Sequence, residues 1–396
     1  MTKIKDGYKD SEIGVIPVEW DVVKVGEILN VKTGKMNAQD QVGGGEYPFF
    51  TRSVDVQTID TYAFDAEALF IAGEGNFKVK YYNGKFNCHQ RTYMLTSING
   101  NNMKFLLNAI QPKVNKLIAT SVGSTVQSLR KPIIEALKIP LPPLKEQEKI
   151  ANILSTADDK IDAIATQIEK AQTLKKGLLQ KLLSDGINHC EFKDSELGKI
   201  PESWEIDKLE NLTTKIGDGL HGTPKYLKQS DYYFINGNNL NGKSIEIIEN
   251  TKCISEEEYN KNKKILDDTT VLLSINGTIG SLAYYSNETV MLGKSVAYIN
   301  SNNRISKQFL FYLLRSSHIL DYFMLELTGT TIKNLSLKTI RNTKIPLPPL
   351  KEQKQIADIL LTADEKLEVL RTKKEKYQTL KKGLLQKLLS GEIRTV

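Results

Sequence analysis

KIPLPPLKEQ at residues 138–147 and QTLKKGLLQKLLS at residues 172–184 are the two ends of a block that the chain carries twice. The second copy occupies residues 344–390, and 34 of the 47 aligned positions are identical. A repeat at this distance indicates a duplicated structural unit, because the periods of solenoid repeats are much shorter. We therefore expect the rest of the chain to be arranged around two equivalent elements.

Each copy predicts an extended, proline-bound opening followed by one long helix. Pro140, Pro142 and Pro143 exclude helix before Leu144, because the proline ring fixes φ and restricts the preceding residue. Beyond that point apolar residues recur mostly at steps of three and four, as in the seam of a coiled coil. The seam residues are Ile150, Leu154, Ala157, Ile161, Ile164, Ile168, Ala171, Leu178 and Leu182, and in the second copy Ile356, Leu360, Ala363, Leu367, Leu370, Tyr377, Leu384 and Leu388.

A helix of about 39 residues is roughly 58 Å long and needs a partner for so narrow an apolar stripe. The other copy is the nearest candidate, so the repeat predicts a coiled coil. Gly177 and Gly383 interrupt the pattern, and glycine costs a helix interior about 1 kcal/mol relative to alanine. Two explanations stay open at this point: a close approach of the two helix backbones, or a kink or break in the last turns.

The composition is that of an ordinary soluble protein with two or three domains. Of the 396 residues, 40% are hydrophobic and 26% are charged, and the net charge is +7. This mildly basic balance is compatible with nucleic acid as a partner. Cys88, Cys190 and Cys253 have no metal or redox spacing and are expected to be reduced thiols. The start, MTKIKDGYKD, and the lack of long apolar runs lead us to expect a cytoplasmic protein without a membrane span.

A second, shorter repeat precedes each globular part. SEIGVIPVEWDVVKVGEI at residues 11–28 matches SELGKIPESWEIDKLENL at residues 195–212. Trp20 and Trp204 correspond, and each is expected to hold this lead-in segment against its domain. Both globular parts contain short β-like runs separated by Gly and Asn clusters, together with helical patterns, which is typical of α+β structure.

The predicted fold is therefore α+β: two globular parts separated by two long helices that form an antiparallel coiled coil with pseudo-two-fold symmetry. The expected order is an N-terminal segment (1–16), the first globular part (17–137), a helical region (138–187), a linker (188–200), the second globular part (201–343) and a second helical region (344–396).

No sequence motif for catalysis is evident. There is no G-x-x-x-x-G-K-[ST] phosphate-binding loop, and no G-x-G-x-x-G follows a predicted strand into a helix. Gly73 and Gly75 lie in a β-like region and indicate only a turn. The four histidines are dispersed, and no metal site is expected. We expect a non-catalytic chain.

Loops of the second globular part combine glycine with polar side chains that suit contact with DNA. Glycine allows a close approach of the backbone, and asparagine can bond adenine bidentately in the major groove. Ordinary surface turns have the same composition, so both interpretations stay open. The candidate DNA-binding residues here are His221, Thr223, Lys225, Tyr226, Asn238, Asn239, Asn276, Thr278 and Lys294.

In the first globular part, positive charge is concentrated between β-like runs. These side chains can bind phosphates or base edges, although a solvated basic face explains them equally well. The candidate DNA-binding residues are Arg52, Lys78, Lys80, Lys85, His89 and Arg91.

The doubled IPLPPLKEQ…LKKGLLQKLLS blocks, the IP-x-x-W lead-in segments and the alternating order resemble the specificity subunit of type I restriction-modification systems. The resemblance covers nearly the whole chain. It implies that each globular part is a target recognition domain that reads one half of a bipartite site in double-stranded DNA. It implies further that the helices set the spacer and dock two methyltransferase subunits, with restriction and motor subunits joining through the complex.

The same resemblance implies that this chain holds no cofactor, and that the other subunits use S-adenosylmethionine, ATP and Mg²⁺. Because the two globular parts differ in sequence, we expect the recognised site to be asymmetric. Two other classes of function stay open: a coiled-coil scaffold or adaptor without DNA specificity, and an enzyme whose active site the sequence does not reveal.

Overall fold

The computed structural model describes residues 4–120, 128–329 and 333–395. It divides into two compact units: unit 1 is Met1–Thr166 together with Thr372–Val396, and unit 2 is Gln167–Arg371. Each long helix therefore contributes residues to both units. The domain limits predicted above treat each helix as a separate region and stay predictions. The first three residues of the expected N-terminal segment lie outside the described residues.

Unit 1 begins with the lead-in segment and continues into a mixed set of strands and helices. Its elements are β1 (Tyr8–Lys9), β2 (Ile16–Pro17), β3 (Asp21–Lys24), α1 (Val25–Ile28), β4 (Leu29–Thr33), β5 (Tyr47–Phe50), β6 (Gln57–Ile59), β7 (Phe64–Ala72), β8 (Lys80–Cys88), β9 (Thr92–Ser97), α2 (Met103–Thr120), α3 (Lys131–Glu135), β10 (Lys138–Leu141) and the first part of α4 (Leu144–Ser184).

Within the described residues of unit 1, six strands form one sheet in the order β4-β9-β7-β8-β5-β6. The pairs are antiparallel except β5 and β8, which run parallel through Phe49 with Asn87 and Phe50 with Cys88. One face of the sheet packs on α2, where Phe105, Leu106 and Ile110 are fully buried. The β-like runs and the helical pattern predicted for the first globular part are confirmed.

Unit 2 repeats this order with longer connections. Its elements are the last part of α4, β11 (Phe192–Ser195), β12 (Gly198–Pro201), β13 (Glu205–Lys208), β14 (Thr213–Asp218), β15 (Tyr226–Leu227), β16 (Tyr233–Ile235), β17 (Lys252–Ile254), α5 (Glu256–Asn262), β18 (Thr270–Ser274), β19 (Leu282–Tyr284), β20 (Val290–Leu292), β21 (Val296–Ser301), α6 (Lys307–Leu314), α7 (Ser317–Leu325), α8 (Leu337–Asn342), β22 (Lys344–Leu347) and the first part of α9 (Leu350–Leu389).

In the described part of unit 2 the strands form two larger sheets, β14-β21-β18-β19 and β15-β17-β16-β20. The strand order of these two sheets corresponds to that of the single sheet of unit 1, and β19 and β20 take the place of the long strand β8. The parallel pair is kept, since β16 and β20 run parallel as β5 and β8 do. The α+β prediction is confirmed in both units.

The two long helices run antiparallel within each unit. In unit 1 Lys381 of α9 pairs with Asp158 of α4 at 2.5 Å, and Leu388 shares a core with Ile150, so later residues of α9 lie nearer the start of α4. Unit 2 repeats the arrangement through the ion pair of Lys175 with Asp364. Every residue of the predicted seam is buried or half-buried, which confirms the coiled-coil prediction.

The glycines of the repeat do not bring the backbones together. Both α4 and α9 continue through Gly177 and Gly383, and an added Cβ at either position would meet no atom within 4 Å. Of the two explanations that the sequence left open, a close approach of the helix backbones at these glycines is therefore excluded. A break of the helix at these positions is excluded as well.

Contacts of the repeated Glu-Gln pair explain why the sequence is identical at the head of the two helices. The pair is Glu146-Gln147 in α4 and Glu352-Gln353 in α9. The indole Nε1 of Trp20 donates to Glu146 Oε2 at 2.9 Å, and Trp204 donates to Glu352 Oε2 at 3.0 Å. Both tryptophans are fully buried. The expectation that each tryptophan holds the lead-in segment against its domain is thereby confirmed.

The glutamine that follows each of these glutamates connects the first turn of the long helix to the globular part by hydrogen bonds. Gln147 Oε1 accepts the backbone N–H of Asn102 at 3.0 Å, and its Nε2 donates to the carbonyl oxygen of Pro142 at 2.8 Å. Gln353 does the same with Ser306 and Pro348, each at 2.9 Å. A buried amide needs all of these partners, so the residue cannot change without loss of hydrogen bonds.

In each unit, a basic side chain that follows one long helix contacts the glutamate at the head of the other long helix. In unit 1 Arg394 Nε donates to Glu146 Oε1 at 2.8 Å. In unit 2 His189 Nε2 lies 2.8 Å from Glu352 Oε1. Gly186 and Gly391, with φ of +67° and +72°, turn the chain after the helices. The two units are thus built on one set of contacts.

Candidate nucleic-acid interface

Three charged side chains of unit 1 meet at one carboxylate oxygen. Glu74 follows β7, and its Oε1 accepts Nη1 of Arg91 at 2.8 Å and Nη1 of Arg52. The hydrogen bond from Arg91 is the main cause that holds the pKa of Glu74 below its ordinary value, and Arg52 adds to it. Glu74 is therefore ionised at neutral pH, and the two arginines leave this group with an excess positive charge.

His89 lies beneath this group and is 4% exposed. The backbone N–H of Arg91 donates to His89 Nδ1 at 3.0 Å, so the proton of the neutral ring is on Nε2. Burial lowers the pKa of His89, and the charges of Arg52 and Arg91 lower it further. His89 and Arg52 line a cavity of about 230 Å³. Because His89 is buried and accepts the backbone N–H of Arg91, it is better placed to hold Arg91 than to contact DNA directly.

The three candidate lysines of unit 1 are placed differently from one another. Lys80 Nζ donates to the carbonyl oxygen of Ser53 at 2.6 Å, next to Arg52, and burial lowers its pKa. Lys78 is exposed. Lys85 lies over the ring of Tyr62, with Nζ 4.7 Å from the ring centroid. The structure thus brings Arg52, His89 and Arg91 together, with Lys80 at their edge.

In unit 2, loops that the sequence singled out separately meet at one place. Ser295 Oγ donates to Asn236 Oδ1 at 2.9 Å and accepts the backbone N–H of Gly237 at 3.0 Å. Ser274 Oγ lies 3.2 Å from Thr278 Oγ1. A Cβ on Gly237 would come within 2.0 Å of Ser274 Oγ, so only glycine fits between these loops.

Most of the candidates of unit 2 have exposed side chains. His221, Thr223, Lys225, Asn238, Thr278 and Lys294 are exposed. The loop of His221 is joined to that of Lys294, because the backbone N–H of Leu220 donates to the carbonyl oxygen of Leu292 at 2.7 Å.

Other candidates have partners within the chain. His221 Nε2 is 2.7 Å from Asp218 Oδ2, and Tyr226 stacks beneath Lys252, whose Nζ is 5.8 Å from the ring centroid. Asn239 bonds the backbone of Asn236 and Glu246, so it builds the turn. The backbone of Asn276 forms a bridge with Asn334. DNA contact by all fifteen candidates stays a prediction.

The two sites share a pattern of backbone hydrogen bonds that is not evident from the amino-acid sequence. The N–H of Gly73 donates to the carbonyl oxygen of Arg91, and the N–H of Ile275 donates to that of Ser295, both at 2.9 Å. The next residues, Glu74 and Asn276, each form an isolated antiparallel bridge further along the chain. Glu74 therefore corresponds to Asn276, and Arg91 corresponds to Ser295.

The neighbouring strand gives a third correspondence. The N–H of His89 donates to the carbonyl oxygen of Phe50 at 3.0 Å, and the N–H of Gly293 donates to that of Ile235 at 2.8 Å. Two residues beyond Phe50 lies Arg52, and two residues beyond Ile235 lies Gly237. Equivalent places thus hold Arg52, Glu74 and Arg91 in unit 1, and Gly237, Asn276 and Ser295 in unit 2.

Sequence reasoning missed Glu74 as part of the site, because Gly73 and Gly75 made it look like one residue of a turn. The usable signal was a lone carboxylate placed directly after a buried strand, between two clusters of basic residues. Residues 123–129 and 329–335 also match each other in sequence, and this match lies partly outside the described residues. Its described ends, Leu129 and Leu335, donate equivalent backbone hydrogen bonds.

The described residues contain neither a candidate metal site nor a helix that could span a membrane. No group of three His, Cys, Asp or Glu side chains in these ranges could hold a metal ion. No helix among the described residues is long and apolar enough to cross a membrane.

Comparison with known proteins gives a consistent picture. The family model described as type I restriction modification DNA specificity domain matches residues 17–173 and 201–378. The putative type I restriction enzyme MjaX specificity subunit of Methanocaldococcus jannaschii is 32% identical over 98% of this chain and 97% of its own length. The EcoDI specificity subunit of Escherichia coli is 25% identical over 96% of this chain and 90% of its own length.

A solved structure shares the fold. The crystal structure of a type I restriction-modification S subunit from M. genitalium superposes with a TM-score of 0.65 at 19% identity, over 98% of each chain. A chain from a structure titled for complex assembly and conformational transition of the type I R-M system gives 0.56 at 16% identity, over 96% of this chain and 99% of that one.

Proposed function

The chain belongs to the family of type I restriction-modification specificity subunits, and from that premise we propose that each unit reads one half of an asymmetric, bipartite site in double-stranded DNA. Phosphate contacts position such a protein, and base-edge contacts select the sequence. Each half of the site is read by the loops that end at Arg91 in unit 1 and at Ser295 in unit 2.

One observation carries this proposal: the backbone at the two sites is the same while the side chains differ. The hydrogen bonds of Gly73 with Arg91 and of Ile275 with Ser295 have one length and one place in the fold. A protein that acted only as a scaffold would not need the same backbone geometry at two sites with chemically different side chains. Two domains that recognise different DNA sequences need both the common backbone and the different side chains.

The helices are the proposed docking surface for two methyltransferase subunits. Leu174 and Leu380 occupy the same place in the two copies of the repeat, and they are 59% and 54% exposed. Leu144 and Leu350 are likewise identical and exposed. Core packing does not require a large apolar residue on an open helix face. Its presence in both copies supports one partner surface that is used twice.

The chain itself is proposed to be non-catalytic. Methyl transfer and cleavage belong to the other subunits, which use S-adenosylmethionine, ATP and Mg²⁺, and the restriction and motor subunits join through the complex. The helices act as the spacer between the two half-sites. The working complex is placed in the cytoplasm, where the DNA is.

The test is an exchange of one recognition unit. Residues 205–343 are replaced by the corresponding region of another specificity subunit, and the sites modified by the reconstituted complex are mapped across a genome. We expect one half of the recognised site to change and the other half to stay the same. If both halves changed, the units would not read independently. If the native complex bound random-sequence DNA as tightly as any other, the scaffold alternative would hold.

A further inference from the structure

We propose that unit 1 reads a guanine through Arg91, which Glu74 and His89 hold in place, and that unit 2 reads its half-site without an arginine at this position. This inference rests on the proposed function and names the base that one of its two sites selects. It follows from the three equivalent positions, which are charged in unit 1 and uncharged in unit 2.

Arg91 is fixed at both ends and still has free donors. Its backbone N–H donates to His89 Nδ1 at 3.0 Å, and its Nη1 donates to Glu74 Oε1 at 2.8 Å. The side chain is nevertheless 62% exposed. A guanidinium carries five N–H donors in a rigid fork, so the contact with Glu74 leaves most of them for a ligand. Arginine paired with the O6 and N7 acceptors of guanine is the commonest specific contact in the major groove.

The fixed geometry favours a base over a phosphate. A phosphate can also be bound by a lysine that acts as a point charge, so it does not require a guanidinium fork that is held in one orientation. A base edge needs the fork in one orientation, and a side chain that is already held there loses less freedom on binding. Glu74 also orients Arg52 on the same oxygen, and the group keeps one more positive charge than negative.

The equivalent places of unit 2 offer different chemistry. Gly237 has no side chain, and Ser295 Oγ is engaged with Asn236 Oδ1 and the N–H of Gly237. Asn276 replaces the carboxylate. None of these residues presents a cationic fork, so guanine recognition through arginine is confined to unit 1 at these positions. The two half-sites then differ in the base that this part of the fold selects.

The decisive variant is Arg91→Lys, which keeps the charge and removes the fork. The complex with its methyltransferase subunits is reconstituted, and binding is measured against a library in which every base of the recognised site is varied. The half-site that is unchanged by the exchange of residues 205–343 is that of unit 1. We expect this half to contain a guanine, and we expect its preference over other bases to fall in Arg91→Lys by part of the roughly 5- to 150-fold discrimination that one bidentate pair provides, because lysine lacks the rigid fork.

Two further variants separate the inference from a loss of folding. Glu74→Gln removes a negative charge, so we expect tighter binding to all DNA with a weaker preference for guanine. Ser295→Ala is the matched change at the equivalent position of unit 2, and it should leave the half-site of unit 1 unaltered. Absence of guanine from that half-site overturns the inference, and so does an equal loss of affinity for every sequence in Arg91→Lys. A native complex without any sequence preference instead overturns the proposed function, and the inference with it.

Discussion

Arg394 Nε lies 2.8 Å from Glu146 Oε1, although the two residues are 248 positions apart in the sequence. Glu146 also accepts the indole N–H of Trp20 on its other oxygen. One carboxylate that is 2% exposed thereby joins the lead-in segment, the head of α4 and the residues that follow α9. Unit 1 depends on this contact, because Arg394 is the cation that the described residues pair with this buried carboxylate.

Replacement of Arg394 by methionine should strongly destabilise unit 1. Removing one partner of a buried ion pair leaves the other charge unpaired and costs about 3–5 kcal/mol. Hydrogen exchange of the amides at residues 144–150 measures the loss locally. Lys138→Met is the matched control within unit 1, since its pair with Glu12 is exposed and is worth at most about 1 kcal/mol. Equal effects of the two changes would contradict the prediction.

The same pair makes the stability of unit 1 depend on pH. Burial acts to raise the pKa of Glu146, but the hydrogen bonds from Arg394 and Trp20 outweigh it and keep the pKa below the ordinary 4.5. A depressed pKa in the folded state contributes stability above pH 4.5, and this contribution is lost as the pH falls through the folded value.

In Arg394→Met the burial of Glu146 remains without its guanidinium, so we expect its pKa to rise above 4.5 and the sign to reverse. The stability difference between the native chain and the variant should then shrink as the pH is lowered from 7 to 4. Thermal unfolding of both proteins across this range checks it, and carboxylates common to both cancel in the difference. A constant difference would count against a charged Glu146 in the folded state.

Leu174 and Leu380 should each govern the binding of one methyltransferase copy. Serine at either exposed position removes apolar contact area without touching the seam. We expect native mass measurements to show one bound copy for each single variant, two for the native chain and none for the double variant. Serine in place of the exposed Ile265, which lies outside the helices, is the control and should leave two copies bound. Retention of both copies in the double variant would place the docking surface elsewhere.

The helices should set the distance between the half-sites, and the structure shows how to test it. The ion pairs of Asp158 with Lys381 and of Asp364 with Lys175 are separated by the same number of residues along α4 and α9. Four residues must therefore be inserted in both helices, after Asp162 and after Lys376, so that both pairs can still form.

Each insertion lengthens its helix by roughly 6 Å, and a base pair rises about 3.4 Å. We expect the unread spacer to grow by roughly one or two base pairs with unchanged half-sites, as mapped by genome-wide detection of modified sites. An insertion after Asp162 alone would misalign the two ion pairs, and we expect loss of activity from it. A fully active double insertion with the original spacer would show that the helices do not measure the gap.

The helices could be predicted from the sequence because their determinants are local. The prolines before Leu144 and the apolar steps of three and four lie within one stretch of the chain, and the second copy at residues 344–390 repeats them. The order of the strands could not be predicted in this way, since the pairing of β5 with β8 depends on residues far apart. The choice between the two explanations for Gly177 and Gly383 could not be made from the sequence for the same reason, because the space around a glycine depends on which residues pack near it.

Several residues of the candidate site could be predicted from the sequence, but their arrangement could not. Arg52, His89 and Arg91 stood out by charge, and the asparagines and glycines of unit 2 stood out as turn formers. Only backbone hydrogen bonds reveal that Arg91 and Ser295 occupy equivalent places, because the side chains differ entirely. The role of Glu74 rests on two arginines from separate loops, which meet on one of its carboxylate oxygens.

Unit 2 is one continuous stretch of chain, whereas unit 1 is made of two stretches with unit 2 between them. During synthesis, every residue of unit 2 has been added before Thr372, so unit 2 can fold while unit 1 still lacks Leu388 from its core and Arg394 beside Glu146. Domains fold as units as they emerge, and contacts between distant residues form late. The recognition unit that is translated second is therefore the first to be finished on the ribosome, and the one translated first is completed only when the second half of α9 returns to it.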